Sequence, residues 1–256
     1  MGKEIEYNRY NNASKLKLSQ NHQSRSDFKD GSEIYAQFLN APYIYYESLL
    51  KEMIKPQDTV LDLCCGDGVH TFFIARLGAT VTSVDIAENS IRLAIIKSCE
   101  ANHNNITFKA VDVENISFPS ATKFKYITCV GSLSYLDLNI FIEKIMELLD
   151  DGGKLIIVDS FNHNPIYKLN RYVHYLRGNR SLSTLNRMPN KKTLDILRNN
   201  FKNVNVRYFG IFSFLGSILN SFLGDFRTKK ILDYLDKKFY FLYKYSFKFV
   251  LVADRN

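Results

Sequence analysis

The sequence predicts an α/β fold: a doubly wound sheet, mostly parallel, with an antiparallel last strand and helical cap insertions. Three observations predict it. The run Val60-Leu61-Asp62-Leu63 leads into a glycine-bearing turn, Cys64-Cys65-Gly66-Asp67-Gly68, and then into a helical pattern. Five apolar runs alternate with helical segments between Thr59 and Asp159, the order that a parallel sheet requires. Beyond Ser160, two alternating segments (203–208 and 246–253) have no glycine-turned crossover between them, so they suit an antiparallel pair at one sheet edge.

The elements follow in order. Residues 1–30 are polar and rich in Asn, Ser and Lys, a flexible start able to order as a lid. Apolar residues recur at helical spacing over 34–53, with Tyr35, Phe38, Leu39, Tyr43, Tyr46, Leu49 and Leu50 as the expected inner face. Pro56 breaks the chain before the first strand, 59–63. A helix over 70–77 stops at Gly78; a second strand spans 80–85, a helix 88–101, and a third strand 107–111 ends at Asp112. The fourth strand, 126–130, releases Gly131-Ser132-Leu133-Ser134-Tyr135 at its carboxyl end. A helix over 141–149, a turn at Asp151-Gly152-Gly153 and a fifth strand, 154–159, complete the series. The chain thus divides into a lid and helix (1–53), a core (54–161), and cap insertions with the last two strands (162–256).

Composition narrows the function classes. A chain of 256 residues, 46% hydrophobic, can bury a sizeable core as one domain with a cap. The net charge of +8 is spread along the chain without a Lys/Arg run, so no nucleic-acid partner is expected. Anionic substrates or membrane surfaces fit that charge equally well. The cysteines Cys64, Cys65, Cys99 and Cys129 form no CxxC pair, so neither a disulfide framework nor a metal site is expected. Reduced thiols and a polar N-terminus without an apolar signal core point to a cytoplasmic protein.

The first turn carries the chemistry. Gly66 and Gly68 allow the backbone to pass close under a ligand. Asp85, at the end of the second strand, can accept two hydrogen bonds from a ribose diol; with Asn89 and Ser90 nearby, it can also cap a helix. A dinucleotide fingerprint wants a third glycine where Thr71 stands. Asp62, four residues before Gly66, suits a cationic or amino-bearing ligand better than a pyrophosphate, which it would repel.

Over about 54–161 these residues resemble the class I S-adenosylmethionine-dependent methyltransferases, whose first motif is an acid followed by alternating glycines and whose second is an acidic strand end. Cys64 stands where that family usually has its first glycine. The resemblance implies a Rossmann-like core with S-adenosyl-L-methionine bound by Asp62, Cys64, Gly66, Gly68, Asp85, Asp112 and the turn at Val130 and Gly131. Asp112 would lie beside the adenine, which Ile86 and Val113, each next to an acid, would sandwich.

Methyl transfer to a hydroxyl needs alignment and removal of a proton. His163, after the fifth strand, reads equally as the base or as a solvated loop histidine. Asp159 is a base or a helix cap, and Tyr135 orients substrate or packs as a core aromatic. His70 is expected near the cofactor. The segment 163–187 interleaves Tyr167, Lys168, Arg171, Tyr172, His174, Tyr175, Arg177 and Arg180, a pattern that stacks on sugars and pairs with phosphates or, alternatively, forms a solvated amphipathic helix. The segment 209–243 is apolar and aromatic, then lysine-dotted. It reads as a cap over a hydrophobic acceptor, the preferred reading, as a homodimer face, or as a helix on the inner face of a membrane. These clues predict O-methylation of a small or glycan-type acceptor, lipid- or nucleotide-linked, as in polysaccharide biosynthesis. The alternatives are C-methylation of a lipid quinone precursor and a non-catalytic cofactor-binding scaffold.

Overall fold

The structure, a computed structural model, describes residues 2–19, 31–178 and 181–255. Strands β1 (Thr59–Leu63), β2 (Thr80–Asp85), β3 (Ile106–Ala110), β4 (Phe124–Val130) and β5 (Leu149–Ser160) run parallel. With β6 (Lys202–Phe209) and β7 (Lys248–Asp254) they form one sheet in the order β3-β2-β1-β4-β5-β7-β6. The last strand is antiparallel to both neighbours, as expected, and sits between them, with Ser160 facing Lys248 and Val158 facing Val250. The order reverses direction at β1 and β4, so a crevice opens at their carboxyl ends.

Strand alternation sends successive side chains to opposite layers. Leu61, Ile127, Ile157 and Leu251 face a core with Phe141 and Ile145. Val60, Ile156 and Val250 face another with Tyr43, Tyr46 and Ile74. Helices α2 (Ala41–Met53), α3 (Val69–Arg76), α4 (Glu88–Glu100) and α5 (Leu138–Leu148) supply the covering faces. The helix expected over 34–53 is shorter because Pro42 fits only its first turn; Gln37–Leu39 form a single 3-10 turn ahead of it. Tyr43, Tyr46 and Leu50 are buried as foreseen, while Phe38 and Leu39 lie outside α2. The turn expected at 151–153 is instead an irregularity within β5, whose pairing with β4 shifts between Phe124 and Tyr126.

The start of the chain is ordered. Residues Gly2–Ser19 form helix α1, held on α4 by Ser14 Oγ to Ser90 Oγ at 2.9 Å and by Asn89 N donating to Asn11 Oδ1 at 2.8 Å. The rest of the predicted lid, 20–30, lies outside the described residues.

Between β5 and β6 come α6 (Pro165–Leu176), α7 (Leu182–Asn186) and α8 (Lys191–Asn200). The sequence reading named no element at α8, yet it is a covering helix, capped by Asn190 and packed through the buried Leu194 and Leu197. The aromatic and basic residues of α6 are partly spent inside. Tyr167 Oη donates to the Gly210 carbonyl at 3.2 Å, and Arg171 donates to Asn162 Oδ1 at 2.8 Å. Arg180 lies outside the described residues. Between β6 and β7 come α9 (Gly216–Leu223) and α10 (Asp225–Lys238).

Candidate active site

The β1–α3 turn is locked by its neighbour strand. Cys65 N donates to the Val84 carbonyl at 3.0 Å, and Gly66 N donates to Asp85 Oδ2 at 2.9 Å. The other Asp85 oxygen accepts Ala87 N at 2.8 Å. Gly66 has φ +56°, and a Cβ there would meet no protein atom within 4 Å; it faces a cavity of about 540 Å³. Cys64 holds the same positive φ of 56° without being glycine; it lines the cavity and packs against the core beside Cys129. Gly68 has a different task from the one expected. It is absent from the cavity wall, and a Cβ there would come within 2.7 Å of the Phe72 ring, so its bareness serves helix packing.

Asp62 is likewise set back from the cavity. Its carboxylate accepts Thr71 Oγ1 at 2.6 Å and Thr128 Oγ1 at 2.8 Å, and Ser83 Oγ donates in turn to Thr71. Burial pushes its pKa up to about 6 against the pull of the two hydroxyls. Asp62 therefore acts on the turn from behind, and Thr71 is its partner rather than a missing glycine.

The remaining nucleoside-side residues gather on one wall: Asp85, Ile86, Asp112, Val113, Val130 and Gly131 all line the cavity. Burial raises Asp85, while the N–H groups of Ala87 and Gly66 oppose that rise. Asp112 accepts Glu114 N at 3.0 Å and Lys3 Nζ at 2.8 Å, so α1 reaches the far end of the wall. Asp67 is also tied to α1: burial pushes it up, but Lys97 and Lys17 outweigh this and hold it below the usual carboxylate range.

The opposite wall is aromatic and was largely missed in the sequence. Tyr7 and Tyr10 come from α1, Tyr35 and Tyr43 from the segment before β1, and Phe247 from the entry to β7. Tyr135 lines the cavity, with its hydroxyl 2.9 Å from that of Tyr10. Tyr35 and Tyr43 stack at 3.9 Å between centroids. Lys248 Nζ lies 5.3 Å from the Tyr43 centroid, and the His70 ring lies 5.7 Å from it. Both line the cavity. His70 Nδ1 is sealed and has no hydrogen-bond partner. Burial, with Lys248 adding to it, pushes His70 down to about 4, so the ring is neutral near pH 7. No local motif announces Lys248 or Tyr10; only the closed sheet and the docked α1 bring them here.

Two expected catalytic residues stand elsewhere. His163 does not line the cavity; it packs on Phe161 at 6.0 Å and on Tyr245 at 5.8 Å. Asp159 is buried behind the wall and accepts Leu133 N at 2.8 Å and Ser160 N at 2.6 Å, which fixes the loop after β4. Burial raises it, with Lys248 opposing. None of the described residues 209–243 lines the cavity, so this segment is not the cap that the sequence suggested. It buttresses the wall from outside: Gln37 N donates to Asp225 at 2.9 Å, and Gly216 abuts the Phe38 ring.

A Rossmann-like sheet with a glycine turn, an acidic β2 end and a crevice over both is the architecture of the S-adenosylmethionine-dependent methyltransferases. The chain belongs to the family described as the methyltransferase domain, which matches residues 54–212, more than half its length. It is similar to ubiquinone biosynthesis O-methyltransferases. One from Xanthomonas axonopodis pv. citri is 33% identical over 107 residues, 41% of this chain and 44% of that protein. Another, from Albidiferax ferrireducens, is 28% identical over 106 residues, 41% of this chain and 42% of that protein. The chain thus spans less than half the length of these curated relatives. Among solved structures, phosphoethanolamine N-methyltransferase 2 of Haemonchus contortus, bound to S-adenosylhomocysteine, matches with TM-score 0.59 at 16% identity, over 91% of this chain and 60% of that one. Geranyl diphosphate C-methyltransferase of Streptomyces coelicolor matches with TM-score 0.57 at 15% identity, over 84% and 79%. At such identities these two speak for the fold.

Proposed function

We propose that the protein transfers the methyl group of S-adenosylmethionine to the oxygen of a small phenol-type acceptor. Bound S-adenosylmethionine supplies a sulfonium-activated methyl carbon. The residues present fit that cofactor: an open cradle over Gly66 and Gly131, a carboxylate at Asp85 for a ribose diol, and the apolar Ile86 and Val113, each beside an acid, for the adenine. Asp62 fixes the turn rather than touching the ligand.

The observation that carries the acceptor class is the pairing of a neutral His70 with the Lys248 cation on an aromatic wall. An imidazole with a pKa of about 4 is a poor base for a sugar hydroxyl, whose acidity is near that of water. A phenol ionises at about 10, and a cation about 5 Å away lowers this by about two units at an effective dielectric of 20. Lys248 would favour the phenolate, and the tyrosines would hold its ring. The relatives named for ubiquinone biosynthesis O-methylation agree with this acceptor, and their names favour oxygen over carbon. The glycan reading loses its main support, because Tyr167 and Arg171 of α6 are committed inside the fold.

Calorimetry with S-adenosylmethionine and S-adenosylhomocysteine tests the cofactor. Methyl transfer is then followed over catechols and other phenols, free and lipid-linked sugars, and primary amines. Turnover confined to sugars or amines would overturn the acceptor class while leaving the cofactor reading intact.

A further inference from the structure

The surface formed by α9, α10 and the 3-10 turn Tyr240–Tyr245 exposes several large apolar side chains. Phe222 is 82% exposed and Phe241 69% exposed, and Ile218 and Phe226 also stand in solvent. Phe222 and Phe226 flank the one-residue corner at Gly224, between the end of α9 and the first turn of α10. Along α10, Phe226, Lys230, Tyr234 and Lys238 recur every four residues, so one face alternates ring and ammonium. The contacts agree: Lys230 Nζ is 4.4 Å from the Phe226 centroid, and Lys238 Nζ is 5.8 Å from that of Tyr234.

The acids of this region are already engaged. Asp236 accepts Gly210 N and Phe212 N at 3.0 Å each, Asp225 accepts Gln37 N at 2.9 Å, and the exposed Asp233 is paired with Lys229 at 2.6 Å along α10. Arg227, Lys230, Lys237, Lys238 and Lys244 are left to give the face its sign. Apolar side chains set among lysines, with their acids engaged, match an anionic lipid surface: rings enter the acyl boundary while ammoniums meet phosphates. Among the described residues no helix is long and apolar enough to cross a membrane, so the contact would be peripheral.

We propose that α9, α10 and the 3-10 turn Tyr240–Tyr245 form a docking surface for an anionic membrane, seated through Phe222, Phe226 and Phe241 and steered by the lysines. This surface lies outside the cavity wall and does not depend on which acceptor the protein uses.

The test is flotation of the full chain with vesicles of phosphatidylcholine alone and with vesicles containing about a third phosphatidylglycerol. Wild type should float with the anionic vesicles, release as salt rises, and ignore the neutral ones. Phe222→Asp and Phe241→Asp should each weaken binding about tenfold or more. The pair Lys230→Gln/Lys238→Gln should weaken it by a similar factor and flatten the salt dependence. These side chains are exposed, and unchanged thermal unfolding would verify that the variants fold. Absence of wild-type flotation at low salt overturns the proposal, as does equal flotation of all variants. A wild-type dimer in sedimentation velocity that Phe222→Asp dissociates, with no vesicle binding, would assign the face to a second copy of the chain instead.

Discussion

The carboxylate of Asp85 accepts the backbone N–H of Gly66 at 2.9 Å, so the end of β2 holds the turn that leaves β1. One side chain therefore sets the shape of the cradle and presents an acceptor to it. Asp85→Ala removes both, and the affinity for S-adenosylmethionine in calorimetry is expected to fall about a hundredfold or more, equivalent to about 3 kcal/mol. Asp85→Asn keeps one oxygen for Gly66 and should fall between the two. Wild-type affinity in the alanine variant would show that the nucleoside binds elsewhere.

Asp62 and His70 respond to acid in opposite senses. Asp62 is raised from 3.8 to about 6, so its carboxylate weakens the fold progressively as pH rises through that window. His70 is lowered from 6.5 to about 4, so stability is lost as pH falls from 6.5 through 4. Each contribution is about 3 kcal/mol, and between pH 4 and 6 they largely offset. His70→Gln should therefore gain stability relative to wild type on acidification, and Asp62→Asn should lose it. Urea titrations at several pH values measure both; parallel profiles for all three proteins would contradict the assignment.

Lys248→Met separates acceptor chemistry from cofactor binding. Calorimetric affinity for the cofactor should stay within about twofold, while kcat/KM for phenols drops about tenfold to a hundredfold. The remaining activity should rise with pH up to the acceptor's own ionisation near 10. An unchanged pH–rate profile would remove Lys248 from the reaction.

The docked α1 offers a third handle on the cavity. Its apolar content is low and its contacts are polar: Lys3 with Asp112 and Glu114, Tyr10 with Tyr135, Lys17 with Asp67. Lys3→Ala and Tyr10→Phe should speed cofactor dissociation several-fold in stopped flow, more so for the charge pair at low salt. Global stability should change by less than about 1 kcal/mol. Large destabilisation would instead make α1 part of the folding core.

What was legible in the sequence is local. A turn that needs positive φ at Gly66 writes itself as glycine, and an acidic strand end such as Asp85 lies at a fixed distance from it. Strands β1, β2, β4 and β5 announce themselves as buried apolar runs, whereas the edge strand β3 buries none of its residues. The aromatic wall is not legible, because Tyr10, Tyr43, His70 and Lys248 are separated along the chain and meet only once the sheet and α1 are in place. α1 itself reads as unstructured because ion pairs and hydroxyl contacts, rather than an apolar stripe, hold it. His163 misled for the opposite reason: following a strand's carboxyl end does not fix which way a side chain turns, and Phe161 and Tyr245 take its ring.

β7 enters the sheet between two strands that precede it in the chain, and it carries Lys248 at its first position opposite Ser160. During synthesis the cradle residues Gly66, Asp85 and Gly131 are all made well before Lys248. A growing polypeptide thus carries its nucleoside-side residues early, while the cavity gains the Lys248 ammonium only when the slot beside Val158 is filled.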